Sequence, residues 1–154
     1  MISSDDYLCY VDLALDGMVA IVTDLGDELA NQRPDLPGAN SPYALVTHCL
    51  GVMEYWAGHV VAGRRIERDR DAEFRATGSV AALVDRVREA RRQLESDMAN
   101  LAPFSPPRGT PRPDDAALPY ARTQGGALLH VYEELAQHLG QVEISRDVIV
   151  ASRT

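Results

Sequence analysis

Lysine is missing from this chain altogether: all 15 basic residues among its 154 are arginine. No folding requirement excludes lysine, so the bias points to codon usage in a GC-rich bacterial genome. A gene lying in an AT-rich genome would contradict that reading. Cysteine is scarce, and two residues, Cys9 and Cys49, are too few for a disulfide framework. The paucity of thiols, the early Asp5 and Asp6, and the lack of a cationic-then-apolar opening segment lead to the expectation of a cytoplasmic protein. No apolar run approaches the length of a membrane span. Aromatic residues make up only 6% of the chain, and Leu, Val and Ala carry the apolar content, which favours helices over a sandwich.

Positive charge is also in deficit. A net charge of −8 keeps a protein soluble and repels a phosphate backbone, so nucleic acid is excluded as an expected partner. The arginine-rich stretches 64–70 and 86–92 are interleaved with acids and read as solvated faces. Neither a phosphate-binding loop, a dinucleotide-binding glycine pattern nor a G-x-S-x-G nucleophile motif occurs. The length suits one domain, 1–154, with a core large enough to need no staples.

What is present is helical periodicity. From residue 4 to about 31, Leu8, Val11, Leu15, Met18, Val22, Leu25 and Leu29 recur at three- and four-residue steps, and Ser3 with Asp6 forms a capping-box start. Pro34, Pro37 and Gly38 break the pattern. Ser41-Pro42 opens a second helix that should run to about Ala62, with Gly63 as its stop. The charged stretch 64–78 reads as a loop or short turn. Ser79 caps a third helix over about 80–100. Six prolines between Pro103 and Pro119 then require a long crossover. A fourth helix is expected from near Thr123 to about Val150. The expected fold is all-α, a four-helix bundle with a long proline-rich crossover before the last helix.

On that last helix His130, Glu134, His138 and Gln141 share a stripe roughly 80° wide beside the apolar face. Burying such groups without partners is costly, and one metal ion can satisfy several of them. Glu134 and His138 are one turn apart and can reach the same ion. Three histidine or carboxylate ligands with an open position are characteristic of catalytic zinc, and His48, in SPYALVTHCLGVMEYW, is the candidate third ligand. An E-x-x-x-H pair is also common as a solvent-facing helix pair, so spacing leaves that alternative open.

Other residues carry two readings each. His130 is an alternative ligand or a partner that orients the carboxylate. His59, about 16 Å along the helix from His48, is too far for the same ion and reads as structural or exposed. Cys49 and Cys9 read as packed, reduced thiols. Tyr55 can border the metal pocket, or be a core aromatic like Trp56. Arg146 can bind an anionic thiol, or be a solvated arginine near the helix C-terminus.

Three segments in order, LVTHCLGVMEYWAGHVVAG, ERDRDAEF and HVYEELAQHLGQVEISRDVI, resemble the DinB-like four-helix family, and especially its thiol S-transferase branch. That family's pattern is a histidine followed by L-x-G-V-E-x-x-W on helix two and H-x-x-E-E-x-x-x-H-x-G-H on helix four. The likeness covers nearly the whole chain. It implies a divalent metal, usually zinc, with nickel or another ion as alternatives, held by His48, Glu134 and His138. It also implies a low-molecular-weight thiol as cosubstrate, with mycothiol the expected thiol given the inferred source, and an electrophile as second substrate. A thiol-dependent isomerisation is a related possibility. Two departures stand out. The glutamate of G-V-E falls one residue late, at Glu54 after Met53, and Gln141 replaces the final histidine, which puts its acid/base role in doubt. The competing readings are a non-catalytic, metal-binding or metal-free, stress-associated bundle, or a homodimer built on Trp56 and the apolar edge of the first helix.

Overall fold

The computed structural model describes residues 3–153, and no strand occurs among them. The first helix, α1, spans Ser4–Ala30. Ser3 caps it, its hydroxyl accepting from the Asp6 amide while the Asp6 carboxylate accepts from the Ser3 amide, so two orphan donors are satisfied reciprocally. Contrary to a single unbroken helix, α1 kinks at Gly26, whose φ of 67° only glycine adopts readily. The kink has a structural use. It turns the last segment of α1 towards the next long helix but one, where Asp27 accepts from the Val80 amide at 2.7 Å.

α2 spans Pro42–Met53, capped by the Ser41 hydroxyl on the Ala44 amide. It continues as a π-helical segment, Glu54–Val61, and ends at Gly63 with φ 77°. The wide turns begin at Glu54 and include Trp56, which lies in the core. The stretch expected as loop contains a short helix, α3, Arg70–Glu73, capped by Asp69. α4 is Val80–Met98, with Ser79 as its cap. The crossover holds a four-residue helix, α5, Pro113–Ala116, and a 3₁₀ turn, Pro119–Arg122. α6, Gln124–Ala151, closes the chain from its Thr123 cap.

The long helices form a ring in which α1 and α2 are diagonal and each packs against both α4 and α6. Their shared core includes Val11, Met18, Leu45, Leu83, Leu94 and Leu135, all essentially inaccessible to solvent. None of the helices in the described residues is long and apolar enough to cross a membrane.

The crossover is ordered by specific bonds rather than by regular structure. Val60 O accepts from the amides of Arg108 and Gly109, Gln124 bonds both the Ala102 amide and Pro106 O, and His59 lies between Arg64 O and Thr110 O. Tyr55 donates to Asp115 at 2.8 Å and accepts from the Arg112 amide at 2.9 Å. Trp56 does not offer the dimer surface expected of it. Trp56 is only 3% exposed, packed edge-on against Tyr55, Tyr120 and His130, so it cannot form a surface for a second subunit. The π segment turns its ring inward under the crossover.

Candidate metal centre

α2 brings His48 into the bundle at 2% exposure, and α6 brings Glu134 and His138 to it. Glu134 Oε2 lies 3.3 Å from His48 Nε2 and 3.4 Å from His138 Nε2. One donor atom from each of the three residues can be chosen so that all lie within 4.8 Å of one another. Bonds of about 2.0–2.1 Å at tetrahedral angles place neighbouring donors about 3.3 Å apart. The two histidine–carboxylate separations match that edge length. Two imidazoles and one carboxylate also form the borderline donor set that suits zinc, with a fourth position left over. The residues present therefore fit a divalent cation.

Each histidine turns Nε2 towards Glu134 because Nδ1 is engaged elsewhere. His48 Nδ1 faces Glu73 Oε2 at 2.8 Å, and His138 Nδ1 faces Gln141 Oε1 at 2.8 Å. The departure at Gln141 thus has a definite place. Its amide oxygen can accept a proton bond from His138 and so favours the tautomer with a free Nε2. His130 stands outside the three donors. Its Nε2 is 3.8 Å from the other Glu134 oxygen, its Nδ1 is 3.0 Å from Glu133, and Tyr120 stacks on its ring at 3.9 Å.

The electrostatics are those of a concentrated charge cluster. Hydrogen bonds from His138 and His48 outweigh burial and hold the Glu134 carboxyl well below the usual carboxylate range. Burial alone would lower His48, but hydrogen bonds with Glu134 and Glu73 outweigh it and raise its pKa. Burial would raise Glu73, yet the bonds from His48 and Arg68 and the charge of Arg68 leave it lowered.

Glu73, Arg68 and Phe74 fall within ERDRDAEF, a segment of the family likeness that also reads as a loop or short turn, and the sequence alone does not pair them with His48. Asp69 as an N-cap and Phe74 as the lone aromatic in a charged run were the available signals. Tyr55 and Arg146, the candidate cosubstrate contacts, are engaged with other partners. The Tyr55 hydroxyl serves the crossover, and Arg146 pairs with its neighbour Asp147 at 2.8 Å. Cys49 is fully buried, which pushes its thiol pKa up and argues against a nucleophile. Cys9 is exposed, contrary to the packed thiol expected. It falls one helical step, about 100°, from buried Leu8, onto the outer face of α1 among Asp5, Asp12 and Asp16.

The family model described as mycothiol-S-transferase matches residues 8–151, nearly the whole chain. No curated protein matches it.

Proposed function

The chain belongs to the mycothiol-S-transferase family, and on that premise we propose that it is a divalent-metal-dependent enzyme joining the sulfur of a low-molecular-weight thiol, mycothiol, to a small electrophile. The observation that carries the reading is the meeting of Glu134 with His48 and His138 at tetrahedral-edge distances, all three donors within 4.8 Å of one another across two helices. Zinc is the proposed ion. A divalent cation held there would make an adjacent thiol a stronger acid and so supply thiolate near neutral pH.

The protein's own groups perform the rest. Glu134 brings negative charge to the site, and His48 and His138 present unprotonated Nε2 atoms once their Nδ1 protons are held by Glu73 and Gln141. Phe74, stacked 4.4 Å from the His48 ring, covers one side of the site and limits water. The thiol proton leaves to solvent or to a nearby base, the sulfur's electron pair attacks the electrophilic carbon, and as the carbon–sulfur bond forms the bond from that carbon to its leaving group breaks, the group departing with the electron pair, as chloride does from monochlorobimane. Arg146 is the proposed contact for an anionic part of the cosubstrate, and Tyr55 acts through its grip on the crossover.

The test is turnover of mycothiol with a panel of electrophiles, such as monochlorobimane, by zinc-loaded protein. Conjugate formation well above that of a His48→Ala variant is expected. Equal rates in the two proteins would refute the catalytic reading.

A further inference from the structure

The His48 ring is gripped by two consecutive residues of a segment that carries no ligand. Glu73, the last residue of α3, meets its edge at Nδ1, 2.8 Å away, and Phe74 lies on its face with the rings inclined by 26°. Both neighbours are themselves fixed. Arg68 donates to the two Glu73 oxygens at 2.7 and 2.9 Å, and Arg33 donates to Phe74 O at 3.0 Å. The side chains of Arg68 and Glu73 are only 8% and 10% exposed. The pair with Arg68 already satisfies the charge of Glu73, so the further contact with His48 is not needed merely to neutralise a buried acid.

Gly51 explains how the carboxylate gets there. A Cβ at this position of α2 would collide with Glu73 Oε1, so the glycine leaves a notch in the helix surface one turn from His48. The Arg112 guanidinium donates to Arg68 O at 2.8 Å, tying the crossover to the same segment. His138 has a weaker support, since its partner Gln141 is neutral and exposed.

We propose that Glu73, clamped by Arg68 and admitted by the Gly51 notch, is the positioning residue of the metal centre. Its carboxylate accepts the Nδ1 proton of His48 and, with Phe74, fixes the ring so that Nε2 faces the cation. The inference rests on the metal-site reading above. Outer partners of ligating histidines commonly contribute about 10–100-fold to metal affinity. Glu73→Leu, which removes the acceptor, should therefore weaken zinc binding by about a hundredfold. Glu73→Gln, which keeps an acceptor of the same shape without the charge, should weaken it by about tenfold. Gly51→Ala leaves the carboxylate intact but excludes it from the notch, and should fall between the two.

Zinc affinity is to be measured by competition with a chromophoric chelator, and cobalt-substituted protein checked for a shift of its visible bands in the Glu73 variants. Melting of each metal-free variant separates folding from binding. The control is Asp97→Asn, which weakens another arginine–carboxylate pair with a buried acid, Arg64–Asp97 at 2.8 and 2.9 Å, one that touches none of the three ligands. It should lower the melting temperature and leave zinc affinity unchanged. Should Glu73→Leu fail to fold, the shape-conserving Glu73→Gln decides. Glu73 variants that bind zinc as tightly as Asp97→Asn would overturn the proposal while the metal site stands. Wild-type protein that binds no zinc would overturn both.

Discussion

Removing the cation should destabilise the bundle by an amount that grows with pH. The ligands come from α2 and α6, with His48 and Glu134 separated by 86 positions in the chain. The unfolded chain has no preformed site, so binding free energy becomes folding free energy. With free ion at a hundred times its dissociation constant the gain is about 2.7 kcal/mol. For a domain of this size, about 2–4 °C per kcal/mol makes that a rise of about 5–11 °C in melting temperature. The pH sense follows from the site's own groups. His48 is raised, despite burial, by its bonds with Glu134 and Glu73. In the metal-free protein its contribution is thus fully present below the unfolded histidine value of about 6.5 and is lost as pH rises through the folded value. Glu134 is held low by His138 and His48, so its contribution is present above the unfolded carboxylate value and is lost only as pH falls through the lowered one. A cation needs unprotonated imidazoles and reverses the His48 dependence. Melting curves with zinc and with chelator at about pH 6, 7 and 8 should show an increment that widens upward. Stoichiometric zinc with an increment independent of pH, or none at all, would refute the reasoning.

Replacing Gln141 by Leu removes the acceptor that holds His138 Nδ1, and zinc affinity should fall by about tenfold, the low end for an outer partner because water can replace it; calorimetric titration checks this, and an unchanged constant would make the glutamine incidental. Truncating Leu83, fully buried on α4, to Ala should cost about 2–5 kcal/mol in urea unfolding and leave zinc affinity alone, since α4 carries no ligand. A Gly109→Ala change would drive a Cβ into His59 O, loosen the crossover from the π segment and speed protease cleavage between Pro103 and Pro119; an unaltered cleavage rate would show that the crossover is held elsewhere.

The sequence by itself determined the long helices, because their signals are local. Capping hydroxyls at Ser3, Ser41, Ser79 and Thr123, apolar steps of three and four, and the stop at Gly63 act within a turn or two of the residues that carry them. The stripe of Glu134, His138 and Gln141 is local in the same way, a consequence of helical spacing alone. The kink at Gly26 and the π turns from Glu54 were not legible, since glycine is tolerated within a helix and a wide turn leaves the apolar pattern nearly intact. Spacing does not bring His48 to the stripe; the family likeness implied that meeting and the tertiary structure carries it out, while the tertiary structure alone decided that Trp56 faces inward and that Glu73 and Arg68 stand behind the site. Those contacts join residues on different elements, and pairing across a bundle depends on which helices become neighbours. Glu73 illustrates the reason most plainly. In the sequence it is one acid in a charged run; its pair with Arg68 is local, but it reaches His48 across a gap that Gly51 on α2 leaves open.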